Sequence, residues 1–171
     1  MADIVVEDGT GLATANSYCS EDEASDYHEN HLYKTDWTGA NGTQRENALI
    51  MASRLLDEMV KWDGSIVYTT SGLRWPRHNI WHEDGYMISS TSIPSFLKNA
   101  TAEFARKLLV EDRTDETNRD LRGFKKIAIG DLKIEVDAWT AKPVMPPSVW
   151  SIIRDYAIRI GGRDSRTLVR M

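Results

Sequence analysis

The side chains best suited to chemistry are four histidines and one cysteine, and their spacing decides what they can do. His28 and His31 are three residues apart and His78 and His82 four apart, so each pair would share a face of a helix, as chelating imidazoles do. Neither pair sits in a His-Glu-x-x-His motif, and residues 65–92 carry no helical period, so no metal and no cofactor are expected. Cys19 would need a base and an orienting group to act as a nucleophile, and nothing in the sequence sets them beside it. A small core residue is the expectation there. No phosphate-cradling Gly-x-x-x-x-Gly-Lys-Thr run is present, and carboxylate pairs such as Asp22/Asp26 are those of any acidic helix face. The chain is therefore expected not to be an enzyme.

Two stretches remain that suit contact rather than catalysis. In Leu73-Arg74-Trp75-Pro76-Arg77, Pro76 fixes its own φ and pushes Trp75 out of the α region, so the backbone is extended. An indole beside a rigid proline is a flat apolar surface on which a guanidinium can stack. Two readings stand side by side: Trp75 anchors the loop in its own core, or it presents the loop to a neighbouring subunit. The second stretch is the C-terminal tail, Arg163 to Met171, which places Arg163, Arg166 and Arg170 around the apolar pair Leu168-Val169. A third reading treats Trp75, Trp81 and Tyr86, near Arg74 and Arg77, as a stacking platform for single-stranded nucleic acid.

The elements that must position these residues are mostly helical. Ser20-Glu21-Asp22-Glu23 reads as a capping box opening a helix to about His31. Thr43-Gln44-Arg45-Glu46 opens a second, with Ala48, Leu49, Ala52, Leu55, Leu56 and Met59 on one face and Asp63-Gly64 as its stop. Pro94 starts a third, with Leu97, Ala100, Phe104, Ala105 and Leu108 as its buried stripe. A fourth begins near Pro147 and buries Val149, Trp150, Ile153, Tyr156, Ala157 and Ile160 before Gly161-Gly162. Residues 3–6 read as a short strand or arm, and 111–120 as a loop. Between Phe124 and Asp137, Ile127 and Ile129 alternate against Leu132, Ile134 and Val136 across Gly130-Asp131, a β-hairpin. The expected fold is mainly α: a compact four-helix domain over residues 1–162 with a small hairpin, followed by an extended tail, 163–171.

With 171 residues the chain is one domain's length, and 41% hydrophobic and 27% charged residues are those of a globular protein. A net charge of −5 argues against a general polyanion binder. Charge is polarised along the chain. Residues 1–31 hold eight acidic side chains and no Lys or Arg, whereas 154–171 hold five arginines against Asp155 and Asp164, so the two ends can pair within one chain or between copies. No 18-residue apolar run or signal-peptide pattern occurs, and the single cysteine suits a reducing compartment, so assembly in a cytoplasm and no membrane partner are expected.

An ordered set of short motifs then carries a resemblance over roughly residues 11–110. Ala15-Asn16-Ser17-Tyr18, Glu23-Ala24 with Asp26-Tyr27, Trp37, and Glu46 with Ala48-Leu49, Ala52 and Leu55-Leu56-Asp57 form its first half. Leu73-x-Trp75-Pro76-Arg77, Ile93-Pro94 and Ala100-x-x-Glu103-x-Ala105 form its second, while His28 and Ser71 depart from the pattern. The set resembles the tailed-bacteriophage family of head–tail connector (adaptor) proteins often labelled DnaT-like single-stranded-DNA-binding. The resemblance implies a virion structural protein of the neck, a homo-oligomeric, dodecameric ring beneath the portal, through which genomic DNA passes with weak contact. It implies the portal protein, copies of the chain and a downstream neck or tail protein as partners, with the tail (Arg163, Arg166, Leu168, Val169, Arg170) docking on the portal. The alternative it carries is a single-stranded-DNA-binding accessory of phage replication.

Overall fold

In a computed structural model, residues 3–114, 127–129, 132–134 and 143–160 are described. Two reciprocal caps start the helical framework. Ser20 Oγ accepts from the Glu23 amide at 3.1 Å and the Glu23 carboxylate accepts from the Ser20 amide at 3.0 Å, opening α1 (Glu21–Glu29). The second box lies two residues earlier than Thr43: Asn41 Oδ1 accepts from the Gln44 amide at 2.9 Å and Gln44 Oε1 accepts from the Asn41 amide at 3.0 Å, opening α3 (Gly42–Met59). Asn41 wins because its own backbone is extended and its short side chain reaches the third helical amide, leaving Thr43 inside the first turn. Between them lies a short helix, α2 (Thr35–Thr38), whose four residues are too few to show a period. Pro94 caps α4 (Ser95–Leu108), and α5 (Pro147–Ile153) begins at a proline whose missing amide costs nothing there.

Two expected helix ends move. Residues 60–62 leave α3 as strand β1 (Val60–Trp62), buried–exposed–buried in alternation, so the helix stops before Asp63-Gly64. Gly64 instead takes φ 65° where the chain turns into β2 (Ser65–Ile66), and a Cβ there would lie 2.1 Å from the His78 carbonyl oxygen. The fourth helix likewise ends at Ile153, and Ala157–Arg159 form β6, antiparallel to β1 with Trp62 opposite Ala157 and Val60 opposite Arg159. Helical spacing of Tyr156, Ala157 and Ile160 yields here to tertiary pairing, because β1 offers open backbone groups to a segment rich in β-branched isoleucine. β2 pairs with β3 (Arg77–His78), and β4 (Ile127–Ile129) pairs with β5 (Leu132–Ile134) in the expected register, Ile127 opposite Ile134. Residues 3–6 contribute a single bridge, Val6 to Ser17, rather than a strand. The described fold is thus mixed, five helices with three two-stranded ladders, and not a four-helix bundle.

The core is laid along α3, which packs on α1 and α4, while α5 closes the far side of α4. Leu49, Ala52, Leu55 and Leu56 meet Leu97, Ala100, Phe104 and Ala105, and Val149 and Ile153 cover the rest. Alanines 48, 52, 100, 102 and 105 let the backbones approach closely. Leu108 is only partly buried. No helix among the described residues is long and apolar enough to cross a membrane.

Several polar groups inside this core are paired, whereas Trp75 Nε1 and His28 Nδ1 have no hydrogen-bond partner. The Asp57 carboxylate, on α3, accepts from Tyr18 Oη at 2.8 Å, Trp62 Nε1 at 2.8 Å and the Arg74 amide at 3.0 Å. On α4, Glu103 and Arg106 form a buried ion pair at 2.8 Å, and Arg106 reaches on to the Tyr33 carbonyl. Arg113 donates to the carbonyls of Pro143 at 2.8 Å and Val144 at 3.0 Å, holding the ends of the described stretches 3–114 and 143–160 together.

Trp75 is fully buried, edge-on to Trp62 and Phe96 at centroid distances of 5.7 Å. Trp75→Ala should therefore destabilise the domain by about 3–5 kcal/mol, as aromatic truncations in cores do, measured by urea unfolding. A loss within experimental error would show the site to be loosely packed.

His28 is buried against Tyr27 and Trp37, and its Nε2–H donates to the Ala102 carbonyl at 3.1 Å. Burial lowers its pKa below the usual 6.5 against the opposing pull of that carbonyl. The unfolded chain then binds the proton more tightly, so the stability His28 contributes is present above about pH 6.5 and is lost as pH falls through its folded pKa. The urea midpoint should fall from pH 7 to pH 5, and His28→Gln should flatten that slope. An unchanged slope in the variant would assign the dependence to other groups.

Candidate interaction surface

The Leu73–Arg77 loop turns inward. Leu73, Trp75 and Pro76 are buried, and the Trp75–Pro76 peptide is cis. Arg77 spends its guanidinium on backbone: Nε on the Asp63 carbonyl at 2.7 Å, Nη1 on Arg74 at 3.0 Å and Nη2 on Gly64 at 2.9 Å. Of the five residues only Arg74 leaves its side chain exposed, while its amide is held by Asp57 and Tyr18. Of the two readings of Trp75, core anchor is the observed one. The tail residues Arg163, Arg166, Leu168, Val169 and Arg170 lie outside the described residues.

What the loop supports is the turn that follows it. Ile80 is buried and pins one side, and its carbonyl accepts from Ile88 at 2.9 Å. Trp81 bridges Met87, His82 and Tyr86 share a backbone bond at 2.9 Å, and the Gly85 amide bonds back to His82. Gly85 has φ 84°, the conformation the tight return needs. The tip therefore holds Trp81, Tyr86 and Met87 at 61%, 56% and 58% exposure, a concentration of apolar surface on one small turn. Its sequence signal is Asp84-Gly85 between two aromatic residues, a turn dipeptide inside a stretch that otherwise looks structureless.

A continuous series of rings joins this tip to the core. Trp62 meets Trp75 at 5.7 Å, Trp75 meets Phe96 at 5.7 Å, and Phe96 stacks on Tyr156 at 4.0 Å. Tyr156 faces His82 at 6.5 Å, and His82 stacks on Tyr86 at 4.5 Å and 11°. Such pairs contribute about 0.5–1.5 kcal/mol each beyond burial, so the tip is braced rather than free to fold down.

The charge around the tip is negative. Between Trp81 and Met87 stand Glu83 and Asp84 and no Lys or Arg. His82 Nδ1 lies 3.1 Å from the Asp84 carboxylate. The Tyr156 phenol is held above its ordinary pKa by burial first, then by Tyr86, Asp155, Glu83 and Asp84. Arg159, the nearest cation on β6, lies over the Trp150 ring at 4.5 Å.

The other candidates do not assemble. His78 lies in β3 and His82 in the turn, so that pair has no helix to share, and His28 is buried with His31 ring-to-ring at 6.0 Å. No group of three or more potential metal ligands occurs among the described residues. Cys19 is buried, and burial first, with Glu23 adding, pushes its thiol up to about 12, far from a reactive thiolate. A cleft of about 280 Å³ beside His28 is lined by Ser25, Asp26, Lys34, Trp37 and Arg45. Its cations are engaged, Lys34 on the Glu29 carbonyl and Arg45 on Glu21 and the Trp37 carbonyl.

A family model described as "Putative DnaT-like ssDNA binding protein" matches residues 2–171, nearly the whole chain. No curated protein and no solved structure matches it.

Because Trp81 is exposed among carboxylates, a cationic quencher should reach it better than an anionic one. Relative to its effect on a free, neutral tryptophan derivative, caesium should quench the fluorescence lost in Trp81→Phe more strongly than iodide does at equal ionic strength. Equal or reversed quenching would show that the tip's field is not negative.

Proposed function

The chain belongs to the DnaT-like ssDNA-binding family, and from that premise we propose that it is a non-catalytic assembly protein of a phage virion, a connector that works by binding other protein subunits. The observation that carries this reading is the braced aromatic tip set among carboxylates. Exposed tryptophan, tyrosine and methionine on a rigid support are the anchors of protein interfaces. Phosphate backbones bind through clustered cations, and the carboxylates beside these rings oppose that term. A net charge of −5 adds to the opposition at long range. The resemblance in the Trp-Pro loop and the helical motifs supplies the setting: a ring of copies at the portal vertex, in the neck of the particle, with DNA passing through and touching it weakly.

The family description favours a second reading, a single-stranded-DNA-binding accessory of phage replication, in which Trp81 and Tyr86 would stack on bases. Stacking of this kind is tolerant of sequence, and its partners would have to come from cations outside the tip.

One pair of measurements separates the two. Light scattering of the chain with and without its portal should give a stoichiometric complex. Anisotropy with labelled oligo-dT should give only weak, salt-sensitive binding, on the order of 10⁻⁴–10⁻⁶ M at physiological salt. Tighter, salt-resistant binding of oligo-dT that is lost in Trp81→Ala, with no portal complex, would establish the second reading instead.

A further inference from the structure

The tip needs an occupant with apolar side chains and positive charge, and the chain's own sequence contains one. Resting on the assembly reading above, we propose that the tip formed by Trp81, Tyr86 and Met87 receives the C-terminal segment Arg163–Met171 of a second copy of this chain. The match is chemical. The segment places Leu168-Val169 between Arg166 and Arg170, with no lysine among its basic residues. Guanidinium groups can stack on Trp81 and Tyr86 while donating to Glu83 and Asp84, which an ammonium does less well. Leu168 and Val169 would cover the apolar rings between those contacts. Asp155, one residue before the Tyr156 that faces His82, is met by Arg154 at 3.9 Å, so the carboxylates offered at the tip are Glu83 and Asp84.

The direction of the chain selects a second copy over the same one. β6 begins beside the tip, at Tyr156, and runs away from it: Ala157 lies opposite Trp62, Arg159 opposite Val60, and the Ile160 amide bonds to the Met59 carbonyl at the end of α3. The last described residue, Ile160, is therefore carried along β1 away from the tip. Nine residues span at most about 30 Å when extended, enough to cross a subunit boundary. The contact is also head-to-tail, since one surface binds a different surface of the next copy. Repeated with a closing rotation, such a contact builds a ring.

Charge exchange in the full-length chain tests it. Reversing the tip (Glu83→Lys with Asp84→Lys) or the tail (Arg166→Glu with Arg170→Glu) should each shift the self-association midpoint by roughly tenfold or more. Carrying both reversals in one chain should restore it. Mixing a Tyr86→Cys chain with a Leu168→Cys chain under mild oxidation should give a disulfide-linked pair, the native Cys19 being buried. Undiminished self-association of the single reversals would overturn this inference and leave the assembly reading standing. A wild type that stays monomeric at every accessible concentration would overturn both the inference and the ring. Cross-linking only within a chain that carries both cysteines would place the segment on its own tip and refute the exchange between copies.

Discussion

One buried carboxylate holds the architecture in register. Asp57 lies near the end of α3 and receives a phenol from the N-terminal segment, an indole N–H from β1 and a backbone amide from the Trp-Pro loop. Three stretches distant in sequence, the N-terminal segment, the α3–β1 corner and the Trp-Pro loop, are thereby fixed to one point. Burial raises the Asp57 pKa, the largest influence upon it, while the three donors pull the other way. An ionised group is tolerable in such a place only when its lone pairs are occupied, so each of the three stretches depends on the other two being present. Removing one donor leaves a desolvated charge partly unpaired, which is why this is a cooperative junction and not a set of separable contacts.

Everything outward of that junction inherits its rigidity. The Arg74 amide fixes the start of the Trp-Pro segment, Arg77 ties its end to three carbonyls, and Trp75 between them is gripped by Trp62 and Phe96. The ring series then carries this order through Tyr156 to His82 and Tyr86 at the surface. A binding surface that is ordered before its partner arrives loses little conformational entropy on association. The charge around it sets which partners approach, since carboxylates beside exposed rings favour cationic chains and oppose phosphates.

Helix starts were legible in the sequence because caps are local. The Ser20–Glu23 box and Pro147 are written in a few adjacent residues, and the hairpin's alternation around Gly130-Asp131 gave the pairing of Ile127 with Ile134. Helix ends were not, because Val60–Trp62 and Ala157–Arg159 became strands by pairing with each other across nearly a hundred residues. The interior side of Trp75 could be stated only as one of two readings: a tryptophan beside proline looks the same from the sequence whether it packs inward or outward. The tip was partly legible. Trp81 and Tyr86 stood out as aromatic residues, but only the fold shows that Trp75 and Arg77 turn inward and leave them beside Glu83 and Asp84. The Glu103–Arg106 pair carried a helical spacing of three, yet its burial follows from α4 being covered on both sides.

The clamp made by Arg113 has a consequence for how this domain can vary. By donating to the carbonyls of Pro143 and Val144, it brings the two ends of segment 115–142 to one place on the surface. The donors that meet at Asp57, from Tyr18, Trp62 and Arg74, all lie outside that segment. Closing a connection of this kind depends weakly on its length, about 0.6 kcal/mol for each doubling. A change of length between residues 114 and 143 therefore costs little at its two ends so long as Arg113 keeps its grip on the Pro143 and Val144 carbonyls.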